Sequence, residues 1–140
     1  MKAHATIGPS GFRTGIRVGE DLEHMLVSDE PIEQNGNNEG PTAMGLLAAA
    51  LGACTAATLR SYANLKGIEL EGVDVEVEAV RRKPSEQAAA GEGAKGTLIR
   101  KKITIRGDKI TPEQRERMLQ IAEKCPVNRT LLEGADIEKL

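Results

Sequence analysis

The residues of this chain best suited to chemistry are its two cysteines, and each has a distinctive setting. Cys54 lies in an uncharged, alanine-rich stretch, Gly40-Pro41-Thr42-Ala43-Met44-Gly45-Leu46-Leu47-Ala48-Ala49-Ala50-Leu51-Gly52-Ala53-Cys54-Thr55. Cys125 opens the tripeptide Cys125-Pro126-Val127, directly after a well-signalled helix. A thiol attacks only as its thiolate, so the question for each sulfur is what would ionise it. Pro126 can start a short helix, which puts Cys125 at or just before a helix N-terminus. Free N–H groups and the positive end of the dipole favour an anion there. Cys54 sits about three turns into its own helix and has no such local help. It needs a cation from elsewhere, and Arg13, Arg17 and Arg129 are the candidates. If the two sulfurs meet, a peroxide would oxidise Cys54 to a sulfenic acid, and Cys125 would condense with it to a disulfide. The plain alternative is that both cysteines pack as small buried hydrophobes. For the arginines, the alternative is a solvated strand face or a helix cap.

The elements that must position these thiols are legible from periodicity. Ala3, Ala5 and Ile7 alternate with Lys2, His4 and Thr6 and predict a first strand. Phe12–Val18 and Leu22–Val27 predict a second and a third. Glu30–Gly40 is rich in Asn, Gly and Glu and reads as a loop. A long helix follows over about Thr42–Lys66, capped by Thr42 and stopped at Gly67. Leu47, Leu51, Cys54, Thr58, Ser61 and Leu65 recur at helical spacing along it, and Thr55 and Thr58 are expected to bond back to helix carbonyls. A helix with no charged face in its first four turns must be covered on nearly all sides, by a sheet and by a partner helix.

Val73, Val75, Val77 and Ala79 alternate with acidic residues. Ile99, Ile103 and Ile105 share a strand whose other face carries Arg100, Lys102 and Arg106. Acidic and basic outer faces predict antiparallel neighbours. Pro84–Lys95 between them is low in complexity and reads as a mobile connection. Thr111-Pro112-Glu113-Gln114 is a capping box with proline at the first helical position. The helix it starts should turn Met118, Leu119, Ile121 and Ala122 inward. A short helix from Pro126 to Leu132 and a final strand over Ala135–Leu140 complete the expectation.

Composition narrows the function. One domain over residues 1–140 is expected. Aromatic residues are 1% of the chain, so the core rests on aliphatic side chains, and a core shared between two copies becomes attractive. A net charge of −2 offers no basic surplus for nucleic acid. Thr42–Leu59 carries no charge and is long enough to raise a membrane-spanning reading. Its apolar residues are mostly Ala, however, so it reads as a buried helix of a soluble protein and no membrane is expected. Two cysteines make no disulfide scaffold, and no signal peptide is visible, so a reducing cytoplasm is expected. His4 and His24 match no familiar zinc-ligand spacing, and no metal or cofactor is expected.

The stretch Gly40–Thr55 together with Glu123-Lys124-Cys125-Pro126-Val127 resembles the OsmC/Ohr family, and the likeness covers almost the whole chain. The resemblance implies an α+β, OsmC-like fold: antiparallel sheets packed on a long central helix, in an intertwined homodimer. It implies a thiol peroxidase acting on organic hydroperoxides, with Cys54 as the peroxidatic thiol, Cys125 as the resolving thiol and a dihydrolipoyl group as the external reductant. Such enzymes commonly carry a Glu about ten residues before the first cysteine, paired with an Arg. Here that region reads Ala43-Met44-Gly45, and Arg13 in Phe12-Arg13-Thr14 is the first choice for the Arg, with Arg17 and Arg129 behind it. The missing Glu supports an alternative: a non-catalytic OsmC-like dimer that binds a small apolar or oxidised ligand.

Overall fold

Alternation at the N-terminus folds as expected into three antiparallel strands, β1 (Lys2–Ile7), β2 (Thr14–Gly19) and β3 (His24–Ser28), in the order β1-β2-β3. The structure is a computed structural model and describes residues 1–139. Its contacts divide the chain into two units, Met1–Leu47 and Ala48–Leu140. In the first unit Ala5 faces Ile16, and Ile16 faces Leu26. All six residues of β1 are exposed, as are Met25 and Leu26 of β3. Periodicity fixes which residues share a face, and leaves open whether anything lies on that face.

The loop after β3 is more ordered than its composition suggests. It contains a 3₁₀ turn, Ile32–Gln34. It wraps around Asp29, which is 2% exposed. The Asp29 carboxylate accepts N–H bonds from Glu30 (2.8 Å), Asn37 (3.0 Å) and Glu39 (3.2 Å).

The second unit contains most of α1 (Ala43–Lys66), then β4 (Gly72–Arg81), α2 (Pro84–Ala89), β5 (Thr97–Arg106), α3 (Pro112–Ala122) and α4 (Pro126–Glu133). Thr42 caps α1, its hydroxyl accepting the Gly45 N–H at 3.1 Å, and Gly67, with φ +62°, ends it. The buried stripe of α1 is Leu51, Thr55, Leu59 and Ala63, spaced by four. Leu59 and Ala63 form a core with Leu70, Ile110, Met118 and Ala122, flanked by Val73, Ile103 and Ile105 from the sheet. Gly52 faces β4, where an added methyl would make only ordinary contact with Val77, at 3.5 Å. The stripe expected through Cys54, Thr58, Ser61 and Leu65 lies on a neighbouring face that is open in this chain, and Leu65 is 80% exposed. Leucine, alanine and threonine occur on both faces, so helical spacing alone did not separate them. By length and composition α1 is able to cross a membrane.

β4 and β5 pair antiparallel, with Glu76 opposite Lys102 and Glu78 opposite Arg100. Both charge pairs close on the outer face, at 2.9 and 3.0 Å, and Arg106 reaches Asp74 diagonally. The connection expected to be mobile contains α2, started by Pro84 and by the Glu86 carboxylate accepting the Lys83 N–H at 2.8 Å. The capping box of α3 forms in both directions, at 3.1 and 2.9 Å. Arg115 of α3 donates to the carbonyls of Ile105 and Gly107, tying α3 to the end of β5. Met118 and Ala122 are fully buried as expected, whereas Leu119 points outward and is 45% exposed. Residues 135–139 form no strand. Among the described residues none pairs with them as a strand; Leu140, the last residue of that expectation, lies outside the described residues.

Leu59 is fully buried at the centre of this core. Leu59→Ala is expected to destabilise the second unit by about 2–5 kcal/mol in denaturant unfolding. The same truncation at exposed Leu119 is expected to change stability by less than about 0.5 kcal/mol.

Candidate functional site

Both cysteines are free thiols, and the fold brings them together. Cys125 is the residue immediately before α4 and is fully buried. Its carbonyl accepts the first α4 hydrogen bond, from the Arg129 N–H at 3.0 Å. Cys54 is half-buried on α1. It opens onto a mostly apolar groove of about 480 Å³ lined by Thr58, Tyr62, Leu65, Ile121 and Pro126 among others. The Cys54 thiol is close enough to donate its hydrogen to the Cys125 sulfur.

That contact splits the ionisation of the pair. Burial pushes the Cys54 thiol up, and the neighbouring Cys125 sulfur pushes it further; the Val127 N–H and the Thr58 hydroxyl oppose this without reversing it. Burial also acts against the Cys125 thiolate, but there it is outweighed. The Cys54 thiol, the N–H groups of Asn128 and Val127 and the Thr55 hydroxyl hold Cys125 below the ordinary thiol value. The Cys125 sulfur accepts no directed cap bond, but the unpartnered amides and the positive end of α4 lie beside it and favour its anion. The pair therefore shares its first proton loss, with the negative charge favoured on Cys125.

The two threonines divide in role. Thr58 bonds back to the Cys54 carbonyl at 2.8 Å, as expected. Thr55 does not: its hydroxyl is fully buried and lacks any well-directed hydrogen bond. It nevertheless lies close enough to Cys125 to favour the thiolate. Sulfur is a weak acceptor, so proximity can assist ionisation without forming a good hydrogen bond. Only the position of Thr55 beside Cys54 in the sequence could have drawn notice to it.

The arginine candidates are dispersed. Arg129 lies on α4 and pairs with Glu133 at 3.3 Å. Arg17 is exposed on β2. Arg13 donates from Nε to Glu39 at 2.7 Å. A carboxylate partner for Arg13 thus exists, supplied by the loop before α1 instead of by Ala43-Met44-Gly45. Asp29 holds the backbone of Glu39. Burial opposes charge on Asp29, but the N–H bonds from Glu39, Glu30 and Asn37, with the Arg13 charge, keep its pKa below the ordinary value. Neither Glu39 nor Asp29 was singled out from sequence, because a loop's composition does not reveal which carboxylate it closes around. His4 and His24 are exposed on β1 and β3, and no group of three or more potential metal ligands occurs among the described residues.

A two-cysteine site at a helix start, carried by a long helix and two antiparallel sheets, belongs to a fold already seen in solved structures. The chain is similar to the OsmC-like protein of Mycoplasma pneumoniae, with TM-score 0.72 and 19% identity over 95% of this chain and 87% of that one. It is similar to the organic hydroperoxide resistance protein OsmC of Legionella pneumophila, with TM-score 0.65 and 22% identity over 98% and 92%. OhrB of Bacillus subtilis gives TM-score 0.61 and 18% identity over 98% and 93%. Identities this low establish the shared fold alone. The family model for OsmC-like proteins matches residues 36–139, a span that includes both cysteines, and the chain belongs to that family. No curated protein sequence matches it.

Two outcomes are expected. Thr55→Val removes a buried hydroxyl without a proper partner, so stability should change by less than about 1 kcal/mol. The midpoint of Cys125 ionisation, read from thiolate absorbance, should rise; an unmoved midpoint would show that the hydroxyl plays no part. Asp29, with its pKa held low, contributes stability above its unfolded value, and that contribution disappears as pH falls through the lower folded value. Wild type should therefore lose stability as pH drops below 3.8. Asp29→Asn should be less stable at neutral pH and show a flatter acid limb in thermal melts.

Proposed function

We propose that this protein is a thiol peroxidase that reduces organic hydroperoxides through Cys54 and Cys125. The observation that supports this most directly is an accessible thiol, Cys54, touching a buried thiol, Cys125, that is favoured to ionise. Cys54 passes its proton to the Cys125 thiolate and attacks the terminal peroxide oxygen. The O–O bond breaks, the alkoxide leaves with the proton from Cys125, and Cys54 holds a sulfenic acid. Cys125, again a thiolate, attacks the Cys54 sulfur; hydroxide leaves and is protonated to water, and a disulfide forms. An external dithiol of the dihydrolipoyl kind reduces that bond by thiol exchange and is itself oxidised. A reducing cytoplasm suits such a cycle. The apolar lining of the groove beside Cys54 suits an alkyl hydroperoxide better than hydrogen peroxide.

In this reading Arg13 is the guanidinium that aids the reaction, held by Glu39 as such an arginine must be held to act directionally. The working unit is a homodimer. Ala49, Ala50, Ala53 and Ala57 of α1 are exposed in the single chain, and small residues allow a second backbone to approach closely. A second reading, a non-catalytic dimer that binds a small apolar or oxidised ligand, is favoured by the raised Cys54 thiol and by Met44 and Gly45 in the region where a carboxylate would be expected.

Stoichiometric cumene hydroperoxide, followed by non-reducing peptide mapping, separates the two. Wild type should form a Cys54–Cys125 bond. Cys54→Ser should abolish peroxide consumption, and Cys125→Ser should stop at a sulfenic acid trapped by dimedone. Arg13→Ala should slow Cys54 oxidation by roughly tenfold. Equal consumption by wild type and Cys54→Ser would leave the ligand-binding reading standing.

A further inference from the structure

β5 contains one residue that its pattern does not explain. Ile99, Ile103 and Ile105 occupy the inward face of the strand, and Lys101 falls on that same face, opposite Val77. Its side chain is only 15% exposed. An aliphatic residue there would continue the apolar face, whereas a lysine must find partners to offset its lost hydration. It finds two: its ammonium donates to the Asn128 side-chain oxygen at 3.0 Å and pairs with the Glu123 carboxylate at 3.1 Å.

Asn128 is the hub of this junction. It is 8% exposed, and both ends of its carboxamide are used. The oxygen accepts from Lys101, and the nitrogen donates at 3.0 Å to the carbonyl of Glu123, the residue that ends α3. That second bond satisfies a carbonyl the helix end would otherwise leave open. The same residue is the third of α4, the helix that Cys125 caps, and its backbone N–H is near enough to favour the Cys125 thiolate without making a directed cap bond to the sulfur. The carboxamide thus anchors the residue whose amide lies near the thiol.

We propose that Lys101 is a positioning residue for Cys125: by gripping Asn128 and Glu123 it fixes the first turn of α4 against the end of α3, so that the N-terminal end of α4 stays in place behind the thiol. It touches neither thiol and acts only through Asn128. The groups that face Cys125 are the Cys54 thiol and the Thr55 hydroxyl from α1 and the amides of α4. The charged side chains paired at this junction are Lys101 from β5 and Glu123 from the end of α3; Arg82 and Lys95 line the cavity beside them, and Arg129 on α4 is engaged by Glu133. The inference rests on the reading of Cys125 as a reactive thiol.

The test uses the full chain with Lys101→Met, which keeps the inner face of β5 filled, and Lys101→Gln, which keeps a donor for Asn128 but no charge. Thiolate absorbance is titrated in the Cys54→Ser background, with no peroxide present. Disulfide closure and sulfenic acid formation are timed separately in the two-cysteine chain. Lys101→Met should raise the ionisation midpoint of Cys125 and slow disulfide closure by about threefold to tenfold. Sulfenic acid formation at Cys54, for which the Cys125 thiolate accepts the proton, should slow in the same direction. Lys101→Gln should restore most of both effects. An unmoved midpoint in Lys101→Met, even with a lower melting temperature, overturns the proposal. So does a Lys101→Gln chain that behaves like Lys101→Met, since the lysine would then act by its charge instead of its grip. If Lys101→Met does not fold, Lys101→Ala, which lets water reach Asn128, is read in the same way. A chain inert to peroxide would sink the peroxidase reading alone, because the midpoint is measured without oxidant.

Discussion

The contact on which the site depends is the packing of Leu59 and Ala63 of α1 with Met118 and Ala122 of α3. Fully burying a side chain the size of Leu59 or Met118 stabilises by about 1.5–3 kcal/mol each, enough to hold the two helices in a fixed alignment. One turn back along the same stripe of α1 stands Thr55, and just beyond Ala122 the chain reaches Cys125. The core contact therefore carries Cys125 to Thr55 and to its neighbour Cys54. No flexible loop has to find the second thiol.

The groups that most favour the Cys125 thiolate are neutral donors: a thiol, a hydroxyl and two amides. Fixed dipoles of this kind are oriented by folding itself and respond weakly to salt, unlike an exposed ion pair. The arginine that the family resemblance brings forward has its own support elsewhere, in the loop closed around Asp29. These are two separate devices. One biases where the proton of the thiol pair resides, and the other fixes a guanidinium to its carboxylate.

Much of the chain from α1 onward was legible from sequence. Its caps are short-range chemistry: Thr42, the Thr111–Gln114 box and Gly67 each act within a few residues, and each works as expected. The pairing of β4 with β5 followed from alternating charge, which is also a local pattern. The failures were long-range. The covered face of α1 depends on which neighbour arrives, and alanine does not discriminate among faces. The inner lysine of β5 makes sense only once Asn128 is placed beside it. Glu39 and Asp29 sit in a loop whose composition predicts irregularity and hides its internal order. The final strand did not form because a strand needs a ladder partner, and none pairs with residues 135–139 among the described residues. Of the site, the two thiols and the helix start at Pro126 were readable, while Thr55, Asn128 and Lys101 were not.

The Arg115 clamp has a consequence for how accurately β4 and β5 can align. Their charges alone do not specify a unique alignment. Slipped by two residues, Asp74 would face Lys102 and Glu76 would face Arg100, and opposite signs would still meet. Such an error would also bring Ile99 or Ile103 to the position that Lys101 takes beneath α4. The end of β5 resists it. Arg115 grips the carbonyls of Ile105 and Gly107, and Gly107 turns at φ +151° in a space where an added methyl would meet the Glu69 carbonyl at 2.8 Å. A guanidinium on α3 and one glycine thus act as the zero mark of the hairpin, from which the address of a lysine six residues upstream is counted.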